Sequence, residues 1–145
     1  MAKIETTVTI ARPRKEVFGF FLNPDDHVPQ ADPDVESVVR TSKGPTTAGT
    51  TFRFRHSGRP RETTSRFTAV VPNEEIRFEG AVGPLQPKCV LTFAEAAAGT
   101  RVTLQADPNP IGPFKLLSPL IRRKGKQLWS RRLEQAKAAL EASVS

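Results

Sequence analysis

The sequence predicts an α+β domain, in which an antiparallel sheet of about seven strands curves around one long C-terminal helix. Three observations carry this. Apolar and polar residues alternate over 3–10 and again through most of 34–107, the period of half-buried strands. The 13 prolines fall almost wholly between the periodic segments, where they interrupt neither ladder nor helix. After Asp107-Pro108-Asn109-Pro110 the apolar spacing changes to three and four residues and stays so.

In order, Ile4, Thr6, Val8 and Ile10 share one face of a first strand. Pro13 then opens a short helix from its first position, with Val17, Phe20 and Phe21 on its apolar face. Asn23-Pro24 ends that helix, because the residue before proline is pushed out of helical geometry. Residues 24–33, polar and proline-rich, read as a loop or a short turn of helix. Strands follow over 35–41, 49–56, 61–71, 75–82, 88–94 and 101–107. Their breaks are Lys43-Gly44-Pro45, Ser57-Gly58-Arg59-Pro60, Pro72-Asn73, Gly83-Pro84 and Gly99-Thr100. On 61–71 strict alternation puts Thr63, Ser65, Phe67, Ala69 and Val71 on one face. Strands joined by short turns make an antiparallel meander. Phe114, Leu117, Ile121, Leu128, Ala136, Ala139 and Leu140 then mark one amphipathic helix, or a short and a long one kinked near Ser118-Pro119.

The length of 145 residues suits one domain, and no second domain or internal repeat is visible. No apolar run approaches the ~18 residues that span a bilayer. The opening Met1-Ala2-Lys3-Ile4-Glu5-Thr6-Thr7 lacks the apolar core of a secretory signal, so a cytoplasmic location is expected. One cysteine, Cys89, excludes an internal disulfide and reads as a small buried hydrophobe. Two histidines and no cysteine cluster give no metal-ligand spacing, and no cofactor motif is present. The net charge of +7 favours anionic partners. There is no tyrosine and no interleaving of basic with aromatic residues, which argues against nucleic acid.

Only the C-terminal helix is long enough to cover the sheet; residues 119–142 would span roughly 36 Å. A helix about 10–12 Å across cannot fill a curved sheet everywhere, so the architecture permits a cavity. The N-terminal strand followed by Pro13-Arg14-Lys15-Glu16-Val17-Phe18 resembles the opening of the START-like, Bet v 1-like or SRPBCC superfamily, which includes the polyketide cyclase/dehydrase and lipid-transport family. Val70-Val71-Pro72-Asn73-Glu74-Glu75-Ile76-Arg77-Phe78, Gly99-Thr100-Arg101-Val102-Thr103 and the late Arg132-Leu133-Glu134-Gln135-Ala136-Lys137 are similar to it as well. The resemblance covers about 3–142. It implies a helix-grip fold and a hydrophobic ligand cavity, with no shared catalytic residues to carry over.

The residues expected to line that cavity are Phe20 on the first helix, then Phe52, Phe54, His56, Ser65, Phe67 and Phe78 on the central strands. Leu91, Phe93 and Leu104 extend the wall, and Leu117, Ile121, Gly125, Leu128 and Trp129 face it from the helix. His56, near Arg61, Thr63 and Ser65, gives the pocket a polar end. It is the one candidate for acid–base chemistry; the plainer alternative is a strand-end histidine bonded to water or a turn. Asp25, Asp26 and His27 follow the first helix and could gate the entrance or bind a cation; the plainer reading of two adjacent carboxylates on a loop is that they are solvated. Gly125, inside a helix, implies room for a ligand or close contact with the sheet, unless it is merely tolerated. Arg122, Arg123 and Lys126, with Lys124, Arg131 and Arg132, form the strongest charge feature and suit anionic lipid or an acidic protein surface. A helix beginning near Pro113 would account for them without a partner.

Three functions follow. The first is a non-enzymatic binder or carrier of a small hydrophobic, lipid- or polyketide-like molecule. The second is a cyclase/dehydratase-type enzyme, and the third a regulatory module working through the basic helix. Scarce inward-facing ionisable groups favour the first over the second.

Overall fold

The computed structural model describes residues 4–58, 61–83 and 85–142. Arg59 and Pro60 of the expected hairpin turn, and Pro84 of the expected break, lie outside the described residues. The chain runs β1 (Ile4–Ile10), α1 (Arg14–Leu22), α2 (Pro24–Ala31), β2 (Val35–Arg40), β3 (Thr51–His56), β4 (Glu62–Val71), β5 (Glu75–Ala81), β6 (Lys88–Ala96) and β7 (Gly99–Asp107). A 3-10 segment, Gly112–Leu117, then leads into α3, Ser118–Ala142. The seven strands form one antiparallel sheet in the order β1-β7-β6-β5-β4-β3-β2. Strands β1 and β2 therefore sit at opposite edges although only α1 and α2 separate them in sequence.

Alternation dictates the core. Ile4, Val8 and Ile10 of β1, Cys89, Leu91 and Phe93 of β6, and Val102, Leu104 and Ala106 of β7 are all buried. They meet Val17, Phe18 and Phe20 of α1 and Leu133, Ala136 and Leu140 of α3. Polar contacts tie α3 to the edge strand. Thr6 Oγ1 and Ser130 Oγ are 2.9 Å apart, and Lys137 Nζ donates to the Thr9 carbonyl at 2.8 Å. Beyond the strand, Ala11 N–H donates to Glu141 Oε2 at 2.8 Å.

Three local expectations are corrected and one alternative is settled. Pro13 caps α1 from outside rather than occupying its first turn; its carbonyl accepts from Glu16 and Val17 N–H, both at 3.1 Å. Residues 24–31 form a full helix, α2. Pro24 sits in its first turn, where no N–H is needed, and the helix ends two residues after Pro29. In β4 the register slips between Phe67 and Ala69, so one extra residue is accommodated there. Val70 consequently packs on the core opposite Ile76, and Val71 is turned outward, reversing the alternation expected for it. Of the two readings of the C-terminal stretch, the broken one holds: a 3-10 segment, then α3 from Ser118.

Candidate functional site

The apolar stripe of α3 divides into two halves. Leu133, Ala136 and Leu140 enter the core. Ile121, Gly125, Leu128 and Trp129 instead face an open space between helix and sheet with a volume of about 720 Å³. Small-molecule sites typically occupy roughly 300–1,000 Å³. Gly125 lies against the end of the Ile4 side chain. A Cβ there would lie 2.6 Å from Ile4 Cδ1, so the helix runs close to the edge strand at that point.

Most of the predicted lining residues meet around this cavity: Phe20, Phe54, His56, Ser65, Phe67, Phe78 and Leu91 join the four helix residues. Phe78 and Trp129 pack with ring centroids 5.9 Å apart. Four predicted lining residues lie elsewhere. Phe52, Phe93 and Leu104 are closed into the core beneath the cavity. Phe93 is covered edge-on by Phe18 at 5.3 Å, and Phe52 is packed by Phe67 at 5.2 Å and capped by the Arg40 guanidinium at 5.6 Å. Leu117 belongs to the 3-10 segment and is exposed.

The polar end contains groups that alternation alone does not single out. Asp32, at the C-terminal cap of α2, is buried and lines the cavity. Its Oδ1 accepts the Asp34 N–H at 2.9 Å. Its Oδ2 lies 3.7 Å from Arg132 Nε, an ion pair too long to be a hydrogen bond. Arg131 pairs with Asp34 at 3.2 Å. Thus Arg131 and Arg132, read from sequence as part of a basic surface, are neutralised by acids beside α2. Arg132 lies on the apolar stripe itself, in step with Gly125, Trp129 and Ala136, and its guanidinium sits 5.2 Å from the centre of the Trp129 ring. That position in the stripe is the signal that distinguishes it. Inward ionisable groups are therefore not scarce, contrary to expectation.

Two atoms at this end are buried without hydrogen-bond partners among the described residues: Arg132 Nε, a donor, and Gln135 Oε1, an acceptor. Both residues line the cavity. Burial lowers the Arg132 pKa, and the Asp32 carboxylate opposes that shift.

His56 shares a hydrogen bond of 2.9 Å between its Nε2 and Thr63 Oγ1, and its ring stacks on Phe54 at 6.3 Å. Burial holds its pKa below the usual value and the Arg132 charge adds to this, while Asp32 and Asp34 pull the other way. The imidazole is thus favoured in its neutral form. Cys89 faces the same cavity, and burial pushes its thiol up to about 12, so it is no nucleophile at neutral pH.

Asp25 and His27 are more engaged than expected. Asp25 pairs with Arg40 at 3.7 Å, and His27 stacks on Phe20 at 4.9 Å. Arg122, Arg123 and Lys126 project outward from α3 and are exposed. Among the described residues no group of three or more His, Cys, Asp or Glu could hold a metal ion, and no helix is long and apolar enough to cross a membrane.

A curved antiparallel sheet gripping a C-terminal helix over an internal cavity defines the helix-grip class, the START-like or Bet v 1-like architecture. The chain belongs to the polyketide cyclase / dehydrase and lipid transport family, whose model matches residues 1–141. Its fold is similar to that of Ara h 8.0201, with a TM-score of 0.78 at 12% identity over 97% of this chain and 98% of that one. It is also similar to StfQ, the di-domain ARO/CYC from the steffimycin biosynthetic pathway, with a TM-score of 0.80 at 15% identity over 97% of this chain and 51% of that one. A Thermus thermophilus protein, TTHA0849, shares the fold, with a TM-score of 0.73 at 17% identity over 99% of both chains. No curated protein matches the chain.

Proposed function

We propose that this protein binds or carries a small molecule with an apolar body and one polar end. The body would lie against Phe54, Phe67, Phe78, Leu128 and Trp129, and the polar end against Arg132 and Gln135. One observation carries the proposal: a cavity of about 720 Å³, mostly apolar, lined at one end by a buried donor, Arg132 Nε, and a buried acceptor, Gln135 Oε1, that have no hydrogen-bond partner among the described residues. A buried polar group left unsatisfied costs about 1–3 kcal/mol. A carbonyl, hydroxyl or carboxylate on the ligand would remove that penalty. The family description, naming polyketide and lipid chemistry, fits such a ligand.

The test is native mass spectrometry of the purified protein, followed by titration with anilinonaphthalene sulfonate, a probe with an aromatic body and an anionic end. A retained small molecule, or saturable binding at one site that Ser65→Phe removes from a folded protein, is the expected result. A folded protein with neither would overturn the proposal.

A second reading, cyclase/dehydratase chemistry, is favoured by one feature: a neutral-leaning imidazole and a guanidinium line the same apolar space. On a confined poly-β-ketone, His56 would take the proton from a methylene between two carbonyls, and Arg132 would stabilise the enolate. The enolate carbon would bond to a second carbonyl carbon; the proton returned from His56 would make that carbonyl's oxygen a hydroxyl, and removal of the attacking carbon's second proton with departure of the hydroxyl would release water and leave a C=C bond. The readings separate on His56→Ala. Probe affinity should stay within about tenfold under either; only the enzyme would lose ring closure of a poly-β-ketone.

A further inference from the structure

We propose that residues 111–126 form a docking surface for an anionic lipid bilayer at the rim of the cavity, an inference independent of which ligand the cavity holds. Among the described residues, the large apolar side chains left exposed are Val39, Val71, Ile111, Phe114, Leu116, Leu117 and Leu120. All but two of these fall within a single short stretch, and Leu116 is 86% exposed. Isolated exposed apolar residues are ordinary, but a contiguous group marks an interaction site.

The charge around this ridge is one-sided. Between Asp107 and Glu134 the sequence contains no acidic residue, while Lys115, Arg122, Arg123, Lys124, Lys126, Arg131 and Arg132 are all basic. Arg131 and Arg132 are matched by Asp34 and Asp32. The other five have no carboxylate within ion-pair distance among the described residues. Arg122 and Arg123 stand in the second turn of α3, where they add to the positive end of the helix dipole. The broken helix start places the ridge there. The 3-10 segment Gly112–Leu117 buries none of its residues, so its leucines stay outside the core.

An apolar ridge flanked by unmatched cations is the chemistry of an interfacial membrane segment: leucines enter the acyl boundary while Lys and Arg meet lipid phosphates. An acidic protein would satisfy the cations but leave Leu116 unexplained. A second copy of the chain would bring two unmatched cationic surfaces together. The rim position follows from Ile121, Lys124 and Gly125, which line the cavity, with Lys124 also exposed to solvent. Docking here would let an apolar ligand pass between bilayer and cavity without crossing water.

The experiment is vesicle co-sedimentation of the full chain, comparing phosphatidylcholine alone with phosphatidylcholine containing about one-third phosphatidylglycerol, an anionic surface. Binding to the anionic vesicles and not to the neutral ones is expected. Arg122→Glu with Arg123→Glu should weaken it by about 25-fold or more, since each cation near an anionic surface is worth roughly fivefold. Leu116→Gln with Leu120→Gln should weaken it at least about tenfold with the charge unchanged. These side chains are exposed, so melting temperatures should stay near the wild-type value, which a thermal scan checks. Absence of binding to anionic vesicles at low salt would overturn the proposal. So would leucine variants that bind like wild type, since that is plain adsorption of a basic protein. Retention on immobilised polyglutamate that matches vesicle binding and ignores the leucines would assign the surface to an acidic protein instead. A stable dimer in sedimentation velocity that Leu116→Gln dissociates would assign it to a second copy.

Discussion

Arg132→Met removes the cation from the polar end of the cavity and keeps a side chain of similar length. Asp32 then remains buried with its ion-pair partner gone, its side chain still accepting the Asp34 N–H at 2.9 Å. Breaking a buried pair from one side costs about 3–5 kcal/mol. The Arg132 side chain keeps 30% of its surface open and lines the cavity, so water reaches part of the site and the lower end, about 3 kcal/mol, is expected. For a chain of this size about 1 kcal/mol moves the melting temperature by 2–4 °C, so a fall of roughly 6–12 °C should appear in a thermal scan. Asp32→Asn preserves the acceptor for Asp34 but leaves the guanidinium without its counter-ion. Combining the two changes should restore stability to within about 1 kcal/mol of wild type, because neither charge then remains stranded. Ligand binding should not recover with it. Both Arg132→Met and the double variant should lose affinity for anilinonaphthalene sulfonate by at least about tenfold, while an uncharged naphthylamine probe is held as before. Strictly additive destabilisation in the double variant would show that Asp32 and Arg132 are not coupled. Unchanged affinity for the anionic probe would remove Arg132 from the ligand site.

Two further outcomes follow. Gly99 has φ of 139°, and a Cβ there would collide with the Ile10 carbonyl oxygen and come within 2.9 Å of Ala11 Cα. Gly99→Ala should therefore destabilise the protein by at least about 2 kcal/mol in urea unfolding, and an unchanged midpoint would contradict that geometry. His56 has a folded pKa below its reference of 6.5, so between the two values the unfolded chain binds more protons than the native one. The contribution of His56 to stability is thus complete above about pH 6.5 and declines as the pH falls through the folded value. Urea titrations from neutral to mildly acidic pH should show a slope that His56→Gln flattens, and equal slopes in the two proteins would refute it.

Strands β6 and β7 were legible because their alternation is uninterrupted, and the burial of Cys89, Leu91, Phe93, Val102, Leu104 and Ala106 follows it residue by residue. The phase in β4 was not, because the extra residue between Phe67 and Ala69 leaves no mark in composition. α2 was half hidden by Pro24 and Pro29, which argue against a helix unless one falls in the first turn and the other near the end. The cavity wall shows a deeper limit. Phe52 and Phe54 point the same way from β3, as Leu91 and Phe93 do from β6, and periodicity treats each pair alike. What separates wall from core is the element across from them: Phe18 of α1 seals Phe93, and Arg40 caps Phe52. Such distinctions are tertiary. Arg132 was the nearest miss, since a charged residue on an apolar helical stripe is visible in the sequence, whereas the Asp32 that neutralises it comes from far along the chain.

The placement of β1 and β2 at opposite edges has a consequence for how the chain acquires its shape. Strands β2 through β7 can each zip onto the one made just before, using turns that close quickly. β1 has β7 as its strand partner, with Ile10 opposite Thr100 and Ile4 opposite Ala106. The earliest strand to leave the ribosome is therefore among the last to find its mate, and long-range pairing of this kind is slow. Until it docks, β7 presents an unpaired edge and the helix lacks the strand it is tied to, which makes that interval the one most open to aggregation.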